Sequence, residues 1–194
     1  MAKYYRARGK APVKGFGLQG FGQINDGAAL IDIGANLTKN SHNDAADQLA
    51  RAAEAGVGAV LVTGCDLTGS RKASSLCKWW WATHGDSTKA PSPRLYFTAG
   101  IHPHDASKAG SGPDFISALE ELASTPLCVA IGECGLDYDR MHSPRDVQLR
   151  VFEAQCALAA KLEMPLFTHC REAGARSPQI SHLITPSLTF SHLL

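Results

Sequence analysis

The chain has almost no net charge, no paired-cysteine motif and no long apolar run, and each absence excludes a class of protein. The formal net charge is +1, so a general attraction to nucleic acid or membranes is excluded, and nucleic-acid binding must come from a local patch. No apolar run approaches the roughly 20 residues of a membrane-spanning helix, so we expect no membrane association. None of the six cysteines forms a CxxC pair, which favours reduced, buried thiols over a disulfide framework.

Reduced thiols indicate an intracellular protein, and we expect the chain in the cytoplasm or the nucleus. The alternative for the cysteines is soft-metal binding at Cys134 and Cys170, each of which follows a candidate ligand. Residues 1–27 carry five basic residues and one acid among many glycines, and we interpret them as a disordered basic leader. The alternative for this leader is a weak organelle-targeting segment.

From residue 28 onward, apolar strand patterns alternate with helical patterns. Such alternation predicts an α/β fold with a parallel sheet and right-handed crossovers. Five strands fit either an open sheet or an eight-strand barrel that lacks its last three strands. After residue 172 the pattern stops, and residues 173–194 are predicted to be an irregular tail. The predicted strands cover 28–33, 57–63, 95–101, 127–131 and 164–168, and the predicted helices cover 43–56, 68–82, 114–123 and a segment from a serine cap at Ser143 to Leu162.

Polar residues follow successive predicted strands at the same end. Because the carboxyl ends of parallel strands meet on one face, residues about 30 apart in sequence become neighbours there. The segment from Val129 to Arg140 is the centre of this pattern, since Glu133 comes directly after a buried strand and is flanked by glycines. Its expected partners lie at the end of, or directly after, the first, third and fifth strands: Asp32, Asn36, His102, His104 and His169.

A glutamate and histidines with oxygen-bearing neighbours suit a divalent cation such as Zn²⁺, Mn²⁺ or Mg²⁺. Such an ion polarises a phosphoryl or carbonyl oxygen and generates hydroxide from water near neutral pH. Asp137 and Asp139 are candidates to support a ligand or to act as a general base. Arg140 and Arg171 can each hold a substrate phosphate through a forked contact, and the alternative for Arg140 is a salt bridge to one of these aspartates.

The remaining histidines and the three adjacent tryptophans carry weaker signals. Because three consecutive indoles cannot all face one side of a helix, we expect 79–81 to combine packing with partial exposure, and base stacking is the alternative. His182 and His192 can contribute to a site only if the tail folds back. We expect surface positions for the three histidines at element edges, which are His42, His84 and His142.

Four segments of the chain form a recognisable set. In order, they are Asp32-Ile-Gly-Ala-Asn-Leu-Thr38, Gly100-Ile-His-Pro-His104, Ile131-Gly-Glu-Cys-Gly-Leu-Asp-Tyr-Asp139 and Pro165-Leu-Phe-Thr-His-Cys-Arg171. In order and rough spacing they resemble the TatD-like metal-dependent deoxyribonucleases, over about residues 28–172. The GECGLD-type and HCR-type segments are specific, and their joint occurrence carries the resemblance. It implies an incomplete TIM-type (β/α) barrel of the metallo-dependent hydrolase superfamily, with about five of the eight β/α units present.

The resemblance also implies hydrolysis of DNA phosphodiester bonds with a divalent metal cation. By matching motif it implies Glu133 and His169 as metal ligands. It implies His102 and His104 as catalytic residues near the substrate phosphate, and we add Asp137 to them as a catalytic candidate. The residues assigned to substrate binding are Asp32, at the mouth of the first strand, together with Asn36, Arg140 and Arg171.

Two departures from the family pattern shape what we expect of this chain. Many relatives have Asp-x-His-x-His after the first strand, whereas Gly34 and Asn36 stand at the histidine positions here. The family also takes a further metal histidine and a catalytic aspartate from later strands, and this chain ends before them. We therefore expect a truncated or mis-spliced product or an incorrect gene model, with a tail that is not native. Open edges of its parallel sheet would favour edge-to-edge self-association.

Three functional hypotheses follow from these residues. The leading one is metal-dependent deoxyribonuclease activity, with DNA as the substrate. The alternative is a catalytically inactive fragment or pseudoenzyme that lacks the late-strand His and Asp. A third keeps the metal site but places an amide or ester of another small molecule in it, because the fold alone does not fix the substrate.

Overall fold

The structure is a computed structural model of the chain, and it describes residues 4–5, 30–39, 41–84, 92–109, 114–173 and 189–193. Most of the predicted leader, 1–27, lies outside the described residues, as do 174–188 and 194 of the predicted tail. The described residues of these two regions are short strands. The sheet consists of β1 Tyr4–Tyr5, β2 Leu30–Ala35, β3 Val57–Val62, β4 Arg94–Ala99, β5 Cys128–Asp137, β6 Leu166–Arg171 and β7 Thr189–Leu193.

Helices connect the successive strands of this sheet. Strands β2 to β7 pair in sequence order and in parallel, while β1 pairs antiparallel with β2. Sequential parallel order with a helix after each strand is the arrangement of a (β/α) barrel, so the predicted incomplete TIM-type fold is confirmed. The connecting elements are α1 His42–Glu54, α2 Leu67–His84, the 3₁₀ helix Pro103–Ala109, α3 Asp114–Ala123 and α4 Arg145–Leu162.

The five predicted strands correspond to β2 through β6, whereas β1 and β7 were not predicted from sequence. Strand β7 lies within 173–194, where we expected only irregular structure, and its backbone pairs in register with β6 from Leu166 to Cys170. Both unpredicted strands are held by backbone pairing to a neighbour, which hydrophobic periodicity does not reveal in segments this short. Among the described residues, no helix is both long and apolar enough to cross a lipid bilayer.

The core lies between the sheet and its covering helices. Strands β3 and β4 are almost wholly buried, with Val62, Leu95 and Phe97 fully buried or nearly so. Helix α1 begins in a capping box, in which Ser41 Oγ accepts from Asp44 N–H and the Asp44 carboxylate accepts from Ser41 N–H. These features follow from the apolar strand patterns and the cap residues, so they were accessible from sequence.

Strand β5 extends six residues past its predicted end at 131, and this corrects the expected position of Glu133. The glutamate lies inside β5 and not after it, and His169 lies inside β6. Gly132 and Gly135 both have φ of 138°, a conformation that glycine adopts readily. A Cβ atom at either glycine would clash with a backbone carbonyl of β6. The glycines flanking the acid therefore carry the strand through a register shift, whereas the sequence suggested a loop.

The start of α4 is the second correction. Ser143 was predicted as the N-cap, but α4 begins at Arg145 and its N-cap, Pro144, makes no side-chain cap hydrogen bond. The fully buried Ser143 hydroxyl instead donates to His104 O and accepts from Ser107 N–H. This serine consequently fixes the segment that carries His104, beside the ends of β4 and β5.

Candidate metal centre

Three side chains from successive strands converge at the carboxyl ends of β4, β5 and β6. His102 follows β4, Glu133 lies in β5 and His169 lies in β6, and one possible ligand atom from each lies within 4.8 Å of the others. His102 and His169 are buried, while the Glu133 side chain is 18% exposed. The predicted convergence of residues about 30 apart on one sheet edge is what places these three groups together.

Hydrogen bonds from the loop after β3 and from a side chain of α4 fix the segments that carry His102 and Glu133. The loop after β3 accepts two of them, at Gly64 O from Glu133 N–H (2.9 Å) and at Cys65 O from His102 N–H (2.8 Å). Buried Gln155 on α4 holds both backbone groups of Ile101, accepting from its N–H at 2.8 Å and donating to its carbonyl at 3.1 Å. The positions of His102 and Glu133 therefore depend on elements that contribute no ligand.

A second buried glutamine on α4 holds the end of β5. Gln148 Oε1 accepts from Asp137 N–H at 2.8 Å, and its Nε2 donates to Asp137 O at 3.0 Å and to Ser143 O at 2.8 Å. Neither Gln148 nor Gln155 was predicted as part of the site. The signal was present, because two glutamines seven residues apart flank the apolar stripe of one helix and so lie on the same buried face.

Asp137 is the most buried carboxylate of the centre and the most heavily hydrogen-bonded. Its Oδ1 accepts from the N–H groups of Asp139 (3.1 Å) and Arg140 (2.9 Å). Its Oδ2 lies 2.8 Å from His104 Nε2, 3.2 Å from His169 Nε2 and 3.6 Å from Arg171 Nη1. Burial acts to raise the pKa of Asp137, but the hydrogen bonds from Arg140 N–H and the two histidines outweigh it and hold the pKa below its usual range.

The ionised Asp137 sets the tautomers of two histidines. A carboxylate only accepts, so His104 and His169 each satisfy it by carrying their hydrogen on Nε2. In the neutral form of each ring, Nδ1 then carries a lone pair. In His169 this lone pair lies 3.2 Å from Glu133 Oε1, a second acceptor. Two acceptors facing each other at this distance repel unless a proton or a metal cation lies between them.

His102 has the opposite polarity. Burial lowers the pKa of His102 to about 4, so its ring is neutral at pH 7. Its Nδ1 accepts a hydrogen bond from His104 N–H at 3.2 Å, which leaves the ring hydrogen on Nε2. That nitrogen lies 3.8 Å from Glu133 Oε1. His102 thus presents a donor to the same space into which Glu133 and His169 present acceptors.

The ligand atoms that Glu133 and His169 present fit a divalent cation. A carboxylate oxygen of Glu133 and the Nδ1 lone pair of His169 converge on one point, and the Nε2–H of His169 is held by a buried carboxylate. Carboxylate support of a ligating histidine is the common arrangement in metal sites. Oxygen and imidazole ligands together suit Zn²⁺ or Mn²⁺, and they also accept Mg²⁺.

Cys65 is a further neighbour that was not predicted from sequence. Its Sγ lies 3.9 Å from Glu133 Oε2. Burial, together with the Glu133 charge, raises the pKa of Cys65 to about 12, so it stays a thiol. Of the two cysteines predicted as alternative soft ligands, Cys134 donates from Sγ to Phe167 O at 3.7 Å, and among the described residues neither belongs to the group of possible ligands around Glu133.

The four residues predicted to bind substrate are not all brought together. Arg171 lies at the centre, with its guanidinium beside Asp137. The Asp32 carboxylate accepts from Gly34 N–H at 3.0 Å, and Asn36 is exposed in the loop after β2. Arg140 is exposed, and within the described ranges its guanidinium makes no ion pair with Asp137 or Asp139. The salt-bridge alternative for Arg140 is therefore wrong, and Arg171 makes the contact to Asp137 instead.

The prediction for the three tryptophans is confirmed, as are the surface positions of His42 and His142, whereas His84 is half-buried. Trp80 is buried, while Trp79 and Trp81 are half-buried, so the three indoles combine packing with partial exposure. His42 and His84 stack on Trp79 and Trp80 respectively. His142 is exposed, but its ring centroid lies 4.4 Å from that of His104, at the edge of the centre.

Comparison with known proteins identifies relatives of this arrangement. The family model described as TatD related DNase matches residues 31–185, which extends past residue 172, where the resemblance was expected to end. The protein called 3'-5' ssDNA/RNA exonuclease TatD from Escherichia fergusonii is 41% identical over 148 residues, covering 76% of this chain and 52% of the relative. Its counterpart in Erwinia amylovora is 41% identical over 160 residues, covering 82% and 57%. The chain spans about half the length of these relatives.

Solved structures show the same fold. A hydrolase TatD family protein from Entamoeba histolytica superposes with a TM-score of 0.67 at 28% identity, covering 79% of this chain and 54% of that one. An uncharacterised amidohydrolase from Saccharomyces cerevisiae superposes with a TM-score of 0.58, also at 28% identity, covering 81% and 57%. The described part of this chain therefore has the fold of about half of each of these two proteins.

Proposed function

The chain belongs to the family of TatD-related DNases, and from this premise we propose that it serves metal-dependent hydrolysis of phosphodiester bonds in single-stranded nucleic acid, DNA first among them. The observation that carries the proposal is the 3.2 Å approach of Glu133 Oε1 to His169 Nδ1, in a ring whose Nε2 faces the carboxylate of Asp137. With the hydrogen of His169 on Nε2, both atoms present lone pairs that one divalent cation can bind together. The two bacterial relatives are named as nucleases acting on ssDNA and RNA, which favours a phosphodiester over an amide or another ester.

We assign Glu133 and His169 as the residues that would hold the metal, which we expect to be Zn²⁺, Mn²⁺ or Mg²⁺. A bound divalent cation supplies Lewis acidity toward a phosphoryl oxygen and lowers the pKa of water. Asp137 positions His169 by accepting its Nε2–H, which raises the basicity of Nδ1. Asp137 is fully buried, so its effect on the substrate passes through the histidines.

His102 and His104 have distinct proposed roles. The Nε2–H of His102 points into the space beside Glu133, where it can donate to a phosphate oxygen as negative charge develops. His104, whose side chain is 23% exposed, carries its hydrogen on the Nε2 that faces Asp137, so its Nδ1 can accept a proton as a general base. This arrangement follows the logic of a carboxylate that fixes the tautomer of a catalytic histidine.

Arg171 and Arg140 are the proposed phosphate-binding cations. Asp32, in β2, and Asn36, directly after it, remain proposed substrate contacts. The Arg171 side chain is 26% exposed and shares Asp137 with both histidines, so its remaining donors can reach a substrate phosphate. Arg140 is exposed and anchored through its backbone N–H to Asp137. Cytoplasmic location is part of this proposal.

The first experiment measures cleavage of end-labelled single-stranded DNA by the 194-residue chain, with and without EDTA. We expect cutting that EDTA abolishes and that added Mn²⁺, Mg²⁺ or Zn²⁺ restores. The Glu133→Ala, His169→Ala double variant should lose it, whereas Glu121→Ala, an exposed change on α3, should not. Cutting retained by the double variant would show that the metal is held elsewhere. Stoichiometric metal binding without cutting of DNA or RNA would instead support the inactive-chain alternative.

A second experiment separates the ligands from the donor. Metal affinity measured by titration calorimetry should fall at least tenfold in His169→Ala and stay within about threefold of the parent in His102→Gln, whose amide retains a donor. Turnover in His102→Gln should nevertheless fall by about 100-fold, the usual effect of removing or weakening one oxyanion donor. A large loss of metal affinity in His102→Gln would make His102 a ligand.

A further inference from the structure

A pocket of about 380 Å³ lies between the segment after β2 and helix α2. None of its lining residues belongs to the metal centre. We call it the basic pocket, and it is lined by Leu37, Thr38, Lys39, Ser41, His42, Lys72, Ser75 and Leu76.

The lining of the basic pocket carries two lysines and three hydroxyl side chains beside the apolar side chains of Leu37 and Leu76. It includes the ammonium groups of Lys39 and Lys72 and no carboxylate. Both lysines are exposed, and neither takes part in an ion pair or hydrogen bond with any other residue that the structure describes. The acid nearest to the pocket along the chain, Asp44, is engaged with Ser41, whose hydroxyl donates to its Oδ2 at 2.6 Å. The pocket therefore has the charge and the hydrogen-bonding groups for an anion with several oxygens.

An aromatic pair adds a second feature, independent of the charge. The rings of His42, which lines the pocket, and Trp79 stack with centroids 4.7 Å apart and planes 11° apart. His42 is exposed, whereas Trp79 is half-buried in α2 and contacts one face of the His42 ring. A flat exposed ring in such a stack can carry a further flat ring, and nucleic-acid bases bind single-strand proteins in this way.

The basic pocket is on the same side of the sheet as the metal centre. The segment after β2 follows the carboxyl end of its strand, at the edge of the sheet where the metal centre lies. The end of β2 is bonded directly to the loop after β3, since Thr63 N–H donates to Ala35 O at 3.0 Å. The next two residues of that loop, Gly64 and Cys65, accept from the N–H groups of Glu133 and His102. The pocket lining begins two residues after Ala35, at Leu37.

We propose that the basic pocket binds a phosphate of single-stranded nucleic acid away from the bond that is cut, through Lys39 and Lys72, with the adjacent base stacked on His42. This inference rests on the proposed function for its substrate, but it concerns binding and not cleavage. A single strand that enters the basic pocket makes contacts that a small phosphodiester does not make.

The test measures binding of a fluorescent single-stranded oligonucleotide by anisotropy, in EDTA so that no cleavage occurs, over a series of salt concentrations. We expect Lys39→Ala, Lys72→Ala to weaken binding about tenfold and to lower the slope of log K against log salt by about 0.7, the value for removal of one phosphate interaction with a single strand. His42→Ala should weaken binding about tenfold at every salt concentration, because stacking is not a counterion effect. The matched control is Arg71→Ala, Lys78→Ala, which removes two exposed cations of α2 that do not line the pocket.

An equal loss of affinity in the control variant would mean that diffuse charge attracts the strand, and it would contradict binding in the basic pocket. Unchanged binding in the Lys39→Ala, Lys72→Ala variant would also contradict it. Inorganic phosphate that displaces the oligonucleotide at an equal concentration of phosphate groups would show a free-phosphate site and overturn the stacked-strand arrangement. If the parent chain cuts DNA while the lysine variant binds normally, the inference fails and the proposed function stands. If the lysine variant binds weakly but the parent chain cuts nothing, the strand-binding inference stands and the proposed function fails.

Discussion

Replacing Gln148 by leucine tests whether the metal centre depends on a residue that touches no ligand. Gln148 is 1% exposed and makes three hydrogen bonds, to Asp137 N–H, Asp137 O and Ser143 O. Leucine has a similar length but leaves these three backbone groups without that partner. Each unpaired buried group costs about 2 kcal/mol, and the greater apolar burial of leucine returns about 2–3 kcal/mol in total.

The expected net loss of unfolding free energy is therefore about 3 kcal/mol. For a chain of this size, this corresponds to a fall in Tm of about 6–12 °C. Displacement of Asp137 also loosens its contact with His169, so metal affinity should fall by about 10- to 100-fold. Urea denaturation of the metal-free chain measures the first effect, and titration calorimetry with Mn²⁺ or Zn²⁺ measures the second.

Two comparison variants make this prediction refutable. Gln48→Leu removes one exposed hydrogen bond within α1, to Asp44 O, and should change stability by no more than about 0.5 kcal/mol. Gln155→Leu removes the matching clamp on Ile101, beside His102, so it should cost similar stability while leaving metal affinity largely unchanged. A Gln148→Leu chain as stable as Gln48→Leu would refute the hydrogen-bond argument. Equal losses of metal affinity in Gln148→Leu and Gln155→Leu would refute the separate roles of the two clamps.

Two further predictions concern pH and the sheet. The pKa of His102 is about 4 in the folded chain and near 6.5 in the unfolded chain. Between these pH values the unfolded chain therefore binds more protons than the folded chain. The stability of the metal-free chain should consequently fall as pH drops from about 6.5 to 4, by about 3 kcal/mol in total. Urea midpoints measured across this range should show a smaller fall in His102→Gln, and identical pH profiles would contradict the assigned shift. Gly135→Ala should destabilise the chain by about 3 kcal/mol or more, because the added Cβ meets His169 O and φ is 138°. Gly34→Ala, where the nearest atom is 4.0 Å away, should cost little, and comparable thermal shifts in the two variants would refute the close approach of β5 and β6.

The order of the β/α units and the convergence of the site could be predicted from sequence because both follow from strand polarity. Apolar runs separated by helical patterns indicate parallel strands, and parallel strands bring their carboxyl ends to one face. That rule alone placed Glu133 and His169 together, although the strands that carry them extend further than predicted. It did not bring Asp32 and Asn36 into the same group, because a position after a strand does not determine what its side chain contacts.

The tautomers and clamps were not predictable, because they depend on contacts between elements. Gln148 meets Asp137 only after α4 packs against β5, and His104 N–H meets His102 Nδ1 only in the turn after β4. The sequence assigned Ser143 to a helix cap because serine before proline commonly begins a helix, but a buried hydroxyl bonds wherever partners are available. The glycines around Glu133 suggested a loop, since positive φ in a strand cannot be distinguished from positive φ in a turn by residue type alone.

The two carboxylates of the centre show how environment divides roles between identical groups. Asp137 is fully buried, accepts two backbone N–H bonds and contacts two histidines, so its charge is fixed in position and committed to orienting imidazoles. Glu133 is partly exposed at the same sheet edge, and it faces the lone pair of one of those imidazoles. His169 joins the two: the hydrogen that Asp137 holds on Nε2 is what leaves Nδ1 as an acceptor toward Glu133. The buried aspartate thus makes the space beside the exposed glutamate a site for a cation, because with the opposite tautomer of His169 a hydrogen bond to Glu133 would occupy it.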